Sequence, residues 1–406
     1  MSGLARDPSA LSPDAYPLAA RYRTVVIGGG EAGLAAALDA ASPVLVVDEH
    51  PLERGLIGLD VPYLFGGRIR AAAQKPARLE ERLVAARPAL VRAVEAGVEV
   101  ALGTTVWNAY GGPPWILGLA DRQGVRLVAA DVLILACGAL DVPVPVAGWT
   151  LRGVMGARGL DVAWRLIGDF TGRRVVALGG LELAVPDVAL RLREPPQAIR
   201  IEGKTEVEGV SWRENGRWRS IACDTVVFAI DAAPNVEVAD LIGARVVWSP
   251  ERGGFLAASL PHGVSAVGDA AGTAPLARDG WMALALAGPE AVVCACEEVT
   301  IGDLRALRPP RSLGAAGPEG GLSALRLAPP QDLVKRMTRA GMGPCQGRRC
   351  RAALHALLGY PPQMATCRPP LRPLPLDQLA TDRGGRVRCY PLDELVRHAR
   401  TVAAAA

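Results

Sequence analysis

The feature that most constrains this chain is Gly28-x-Gly30-x-x-Gly33, set between "TVVIGGG" (Thr24–Gly30) and "EAGLAAALDAA" (Glu31–Ala41). The first run is β-branched and ends in glycines, as a buried strand does. The second is rich in alanine and leucine and reads as a helix. "PVLVVDEH" (Pro43–His50) follows as a second buried strand, which completes a βαβ unit. Gly28 permits a tight turn, Gly30 lets backbone approach a pyrophosphate, and Gly33 allows the helix to pack closely on the strand. The pyrophosphate would sit at the helix N-terminus, where free N–H groups and the helix dipole favour an anion. Asp48, twenty residues after Gly28, would accept hydrogen bonds from a ribose diol. This combination points to an adenine dinucleotide.

At 406 residues the chain exceeds what one core usually organises, so two or three domains are expected. The net charge is +4, and of the 45 basic residues only Lys75, Lys204 and Lys335 are lysine. No basic run is interleaved with aromatic residues, which argues against a nucleic-acid surface and leaves acidic small molecules as ligands. Residues 1–22 contain no uninterrupted apolar segment, and later apolar stretches are broken by charge, Gly or Pro before they could span a bilayer. A cytoplasmic protein with a flexible arm over residues 1–20 is expected. Eight cysteines in so long a chain do not make a small disulfide scaffold, and in a reducing compartment pairs of them serve metals or redox chemistry.

Two further glycine turns follow. "ADVLILACGALDVPVPVAGW" (Ala130–Trp149) reads as a buried strand ending at Gly138, then a proline-rich crossover. "GVSAVGDAAGTAPLARDGWMALALAG" (Gly263–Gly288) reads as a short strand ending at Gly268-Asp269, then a helix. Both resemble the later fingerprints of the two-dinucleotide-binding-domain flavoproteins. In these the Asp of the late Gly-Asp pair bonds the ribityl or pyrophosphate part of FAD, a role the resemblance gives to Asp269. Taken alone, Asp269 is equally a helix N-cap. Between these turns, "GRRVVALGGLELAVPDVALRL" (Gly172–Leu192) is expected to be another strand–glycine–helix unit. Here Leu181 replaces the glycine needed for phosphate approach and Glu182 would repel a phosphate, which argues against NAD(P).

After Gly288 the character changes. Cys294-x-Cys296 precedes a helical segment that Thr300 or Asp303 could cap, and "GMGPCQGRRC" (Gly341–Cys350) separates two helices. His355 is the one histidine near these cysteines, and it lies within an alanine–leucine helix. Four cysteines at unequal spacing suit a [2Fe–2S] cluster, with zinc, a redox disulfide or unconnected structural cysteines as the alternatives. Gly341, Gly343 and Gly347 would free N–H groups for sulfur, while Arg339, Arg348, Arg349 and Arg351 would supply positive charge.

"CACEEVT", "VKRMTRAGMGPCQGRRC" and "RPPLRPLPL" together resemble the bacterioferritin-associated-ferredoxin-like [2Fe–2S] domain fused to flavoprotein alpha subunits. Those subunits belong to heteromeric amine and amino-acid dehydrogenases: the corresponding subunits of opine oxidase and hydrogen cyanide synthase, and the alpha subunits of D-hydroxyproline and dye-linked proline dehydrogenases. The alpha subunit of heterotetrameric sarcosine oxidase shares the block apart from its cluster cysteines. The resemblance spans roughly residues 21–376. It departs from the pattern at residues 51–69, at Cys137, where the family has threonine, and in a spacer at 308–322.

The resemblance implies an α/β, Rossmann-like flavoprotein of the GR2 type with a shortened middle domain and a small helical C-terminal [2Fe–2S] domain. The expected division is 21–150 with 255–290 for FAD, 151–254 for a degenerate NAD(P)-type domain, 291–360 for the cluster, and 361–406 for a proline-rich strap and tail. FAD would be held by Gly28, Gly30, Gly33, Asp48, Gly138, Gly268 and Asp269, and the cluster by Cys294, Cys296, Cys345 and Cys350. A beta subunit resembling glycine or D-amino-acid oxidases would oxidise the substrate, with a quinone or one-electron acceptor downstream and any membrane contact made through partners. His50, His262, His355 and His398 stand in unrelated contexts, so no acid–base pair emerges. Two other readings stay open: an NAD(P)H-dependent ferredoxin-type reductase and a nucleotide-binding, non-catalytic scaffold.

Overall fold

The structure, a computed structural model, describes residues 18–49, 87–121, 124–161, 164, 172–183, 185, 187–230, 232–250, 254–272, 281, 288–308, 321, 331–359 and 364–374. The segment at 51–69, most of the 308–322 spacer and of the helix expected after Asp269, residues 375–406, His50 and His398 lie outside them, as does the arm up to residue 17.

The first unit begins with β1 (Arg21–Ile27), α1 (Glu31–Asp39) and β2 (Val44–Asp48). After α2 (Pro88–Glu95) come β3 (Glu99–Leu102), β4 (Thr105–Gly111), β5 (Trp115–Asp121) and the long β6 (Gly124–Leu135). They form one sheet in the order β3-β2-β1-β6-β5-β4. β3, β2, β1 and the far half of β6 are parallel, whereas β4, β5 and the near half of β6 form an antiparallel meander. The two-residue period of the strands divides their side chains between two cores. Val26, Val44 and Val46 face α1 and α2, meeting Leu34, Ala37, Leu90 and Ala93. Val25, Ile27, Leu45, Val47, Leu133 and Leu135 face the other way, toward the largest core.

A short strand, β7 (Ala139–Asp141), leads into the middle unit. There β8 (Val154–Gly156), α3 (Ala157–Asp161), β9 (Val175–Leu178) and β10 (Val188–Leu192) precede the meander β11 (Ala198–Glu202), β12 (Gly209–Glu214) and β13 (Arg217–Ala222), and β14 (Thr225–Phe228) follows it. β10, β9, β14 and β8 form a parallel four-stranded sheet in that order. The helix expected after Gly179-Gly180 is a correction: Val188–Leu192 is a strand paired in parallel with β9. Pro186 lies within the segment read as helical, and helix interiors exclude proline. The open edge of β9 offers backbone partners that local helix preference cannot match.

The chain returns through β15 (Ala232–Pro234), which pairs antiparallel with β7, so a two-stranded ribbon joins the units. α4 (Glu237–Leu241), β16 (Arg245–Ser249) and β17 (Gly254–Ser259) come next. Val236, Val238, Ala239, Ile242, Ala244 and Val246 pack into the first core, so this stretch sits with the first unit rather than the middle one. β18 (Val264–Ala266) then pairs in parallel with β6.

The C-terminal unit opens with the hairpin β19 (Val292–Cys294) and β20 (Val299–Thr300), followed by α5 (Ile301–Arg305), α6 (Gln331–Thr338) and α7 (Arg351–Leu358). Thr300 caps α5 in a reciprocal capping box with Asp303, worth about 1 kcal/mol. Residues 364–374 run back to the first unit. Along that path the Cys367 N–H donates to Asp240 at 2.7 Å, Leu371 enters the first core, and Arg372 pairs with Glu49 at 2.9 Å. No helix among the described residues is long and apolar enough to cross a membrane.

Candidate functional site

The three glycines of the first turn do different physical work. Gly28 has φ of +115°, and a Cβ there would lie 2.1 Å from the Ala136 carbonyl oxygen. A Cβ on Gly33 would lie 2.0 Å from the Gly28 carbonyl oxygen, so α1 rests directly on the turn. A Cβ on Gly30 would meet nothing within 4 Å. The open space therefore lies where a pyrophosphate would approach, at the N-cap of α1, which has no side-chain cap. Asp48 ends β2 and is buried, and its Oδ2 accepts the Gly29 N–H at 2.6 Å. Arg87, at the N-cap of α2, reaches the same corner, 3.0 Å from the Gly29 carbonyl and 3.5 Å from Asp48. The sequence reading missed Arg87, whose only local signal is the Pro88 that opens α2.

The later turns converge on this corner. β6 runs beside β1 and ends at the Ala136–Gly138 turn, where Gly138 has φ of +66°. The Cys137 carbonyl accepts a hydrogen bond from the Asn235 side chain at 2.8 Å. Gly268 has φ of +62°, and a Cβ there would lie 2.8 Å from the Ala32 Cβ, so the Gly268-Asp269 turn abuts the first turn of α1. Asp269 lies in a 3-10 turn (Gly268–Ala271) and pairs with Arg158 of α3 at 2.6 Å.

The middle unit repeats half of this design. Gly179 has φ of +114° and presses on the Ala229 carbonyl oxygen as Gly28 presses on Ala136. Its N–H donates to Leu192 as that of Gly28 donates to Val47. Arg193 thus stands where Asp48 stands in the first unit. Exposed Glu182 lies 3.8 Å from Arg191 and 3.6 Å from Arg193.

The four cysteines come together from the β19 hairpin and from the 341–350 loop. Their sulfurs form two close pairs. The Cys296 thiol donates to Cys345, and that bond, aided by the Arg349 N–H and the Arg348 and Arg349 charges, draws Cys345 down to about 6 against the cost of burial. The Cys350 thiol donates to Cys294, lowering Cys294 likewise. The donating thiols of Cys296 and Cys350 are pushed up by those same bonds and by burial. Backbone N–H groups also point at sulfur: Gly341 lies 3.5 Å from Cys294 Sγ, and Glu297 and Cys345 donate to Cys294 and Cys296. Gly343 admits close approach, since a Cβ there would lie 2.3 Å from the Cys296 Cβ.

The arginines divide. Arg348 and Arg349 are buried beside Cys345, and the Arg348 Nε donates to its carbonyl at 3.0 Å. Arg339 is instead engaged by Glu297 at 2.7 Å, and Arg351 by Glu237 at 3.0 Å in a buried pair. His355 serves packing, stacked 3.9 Å from Trp248. Among the described residues, no three or more His, Cys, Asp and Glu side chains gather around one metal position. Two pairs of thiols are a different arrangement: a two-iron cluster needs two sulfur donors at each iron, and the four cysteines with their N–H donors fit that demand.

Residues 22–186 match the family described as Pyridine nucleotide-disulphide oxidoreductase. The chain is similar to a subunit of opine oxidase from Agrobacterium tumefaciens (strain Ach5), 24% identical over 88% of this chain and 91% of that protein. It is also 27% identical to sarcosine oxidase subunit alpha of Rhizobium meliloti (strain 1021), over 68% of this chain and 31% of that protein. L-proline dehydrogenase from P. horikoshii, 15% identical, superposes with a TM-score of 0.62 over 89% of this chain and 80% of its own. Together the glycine turns, the sheet order and the superposition on L-proline dehydrogenase give the chain the two-dinucleotide-binding fold, and its first part, residues 22–186, is similar to the pyridine nucleotide-disulphide oxidoreductases.

Proposed function

We propose that this chain is the FAD- and [2Fe–2S]-containing subunit of a heteromeric dehydrogenase or oxidase acting on a C–N bond, in an amine, an opine or an imino acid such as proline or D-hydroxyproline. The observation that carries the reading is the meeting of Cys294, Cys296, Cys345 and Cys350 as two thiol pairs in a chain that also has a dinucleotide turn. When bound, a flavin and a two-iron cluster would link a two-electron donor to a one-electron acceptor.

The chain's own residues would bind and orient. Gly28, Gly30 and Gly33 bring the first N–H groups of α1 to the pyrophosphate, and Asp48, set by Gly29 and Arg87, receives the ribose. Gly138 and Gly268-Asp269 close the same cleft. Arg348, Arg349 and the N–H groups of Gly341, Glu297 and Arg349 offset the negative charge of the thiolates. Nothing in these contacts supplies an acid or base for substrate. The reading therefore assigns substrate oxidation to a partner protein resembling glycine or D-amino-acid oxidases, and the relatives' names, which speak of subunits, support it. The chain would work in the cytoplasm, meeting a membrane only through partners.

The reductase reading loses support at the middle unit. Among the described residues after Gly179-Gly180, Val188–Leu192 is a strand rather than a helix, and Glu182 lies beside Arg191 and Arg193, where it would oppose a phosphate. Visible spectra of the chain alone and with its genomic neighbour, before and after candidate amines, test the proposal. Flavin and iron–sulfur absorbance bleached by amine only with the partner is expected. Bleaching by NADH alone would favour the reductase, and a colourless protein would leave only the scaffold reading.

A further inference from the structure

A pyrophosphate is an anion, yet acids gather at the end of α1 that would receive it. Glu31 opens α1, Asp48 ends β2, and Asp269 follows Gly268, where a Cβ would lie 2.8 Å from the Ala32 Cβ. Glu31 is exposed. The other two acids are each met by an arginine: Asp48 by Arg87 at 3.5 Å and Asp269 by Arg158 at 2.6 Å. Arg87 opens α2 of the same unit as Asp48. Arg158 comes from α3 of the middle unit and reaches across to the first.

The turn that carries Arg158 is held in place. Asp141 of β7 accepts the Arg158 N–H at 3.2 Å through Oδ1 and the Gly159 N–H at 3.0 Å through Oδ2. Gly156 ends β8 and lets the backbone close on that carboxylate, since a Cβ there would lie 2.1 Å from the Asp141 Cγ. β8 itself pairs in parallel with β14, so the middle sheet sets where α3 begins. The Arg158 and Asp269 side chains keep 44% and 34% exposure, and a pair so well solvated adds little to folding. Its effect falls on the cleft. With its charge offset, Asp269 no longer opposes an anion approaching the N–H groups of α1.

We propose that Arg158 is a positioning residue for FAD that acts through Asp269, offsetting its charge and fixing its carboxylate, so that the middle unit completes the dinucleotide cleft of the first. This rests on the reading that the cleft holds FAD. It gives the middle unit a task that needs no nicotinamide cofactor. In the full-length chain Arg158→Gln should weaken FAD about tenfold at low salt, and the deficit should shrink as salt rises. Arg158→Lys should keep most of the affinity, and the urea midpoint of the apoprotein should stay where it is in both variants.

A double-mutant cycle decides whether Arg158 works through Asp269. FAD is titrated by fluorescence quenching into the wild type, Arg158→Gln, Asp269→Asn and the double variant. Once Asp269→Asn has removed the carboxylate charge, Arg158→Gln should change FAD affinity by less than about twofold. A loss as large in that background as in the wild type would overturn the proposal, and so would wild-type affinity in Arg158→Gln alone. If Arg158→Gln does not fold, Arg158→Met keeps the apolar stem and takes its place in the cycle. A wild-type chain that binds ADP but not FAD would overturn the functional reading alone, and the same cycle run with ADP, which carries the pyrophosphate and ribose, then decides the role of Arg158. A wild type that binds neither overturns both.

Discussion

Replacing Gly30 with alanine separates folding from cofactor binding more cleanly than any other change in the first turn. Gly30 has φ of −73° and ψ of 178°, which any residue adopts, and a Cβ there meets no atom within 4 Å. Unfolding of the apoprotein should therefore shift by no more than about 0.5 kcal/mol, the usual range for an unconstrained site. The empty volume is the approach route of the pyrophosphate. A methyl group there would displace a phosphate from the N–H groups of α1 and sacrifice one charge-assisted hydrogen bond, about 1.5–3 kcal/mol. FAD affinity should fall roughly 10- to 100-fold. Gly28→Ala is the contrast, because its Cβ would be driven against the Ala136 carbonyl at positive φ, and it should cost about 3 kcal/mol or more. Urea unfolding of the apoproteins and quenching of FAD fluorescence read the two effects independently. Wild-type FAD affinity in Gly30→Ala, or an apoprotein destabilised by about 2 kcal/mol or more, would refute the reasoning.

Arg351→Met alone leaves Glu237 buried without its partner and should destabilise the fold by about 3–5 kcal/mol, whereas Arg351→Met with Glu237→Leu should recover most of that loss; urea unfolding of the single and double variants would show no recovery if the pair is not what matters. Burial raises Asp141 to about 6, with the Gly159 and Arg158 N–H groups and the Arg158 and Arg349 charges opposing the rise. The folded protein therefore holds this proton more tightly than the unfolded chain, where a carboxyl titrates near about 3.9. The contribution of Asp141 is greatest below that value, declines as pH rises toward about 6, and is flat above. Asp141→Asn should flatten stability measured across that window, and an unchanged slope would count against the assignment.

What could be read from the sequence was local. Gly28, Gly33 and Asp48 were legible because a strand, a turn and a helix within 25 or so residues dictate them together, and Thr300 was legible because a capping box needs only four residues. The middle unit was misread at Val188–Leu192, where an alanine- and leucine-containing run became a strand because β9 offered an edge to pair with. Arg87 escaped notice because its partner Asp48 lies 39 residues away. Arg351 was counted among the cluster's cations because Glu237, 114 residues earlier, has no sequence signature. The helices at 331–338 and 351–358 follow their pattern, but the path of the strap back to Glu49 is a tertiary fact.

The most direct test of the account is iron, acid-labile sulfide and FAD measured per chain in the wild-type protein and in Cys345→Ser and Cys350→Ser. The account predicts about two irons and about two sulfides in the wild type, lost from each variant, while FAD stays bound at Gly28–Gly33. Iron retained in both variants, or a wild-type protein purified anaerobically with no iron, would contradict it.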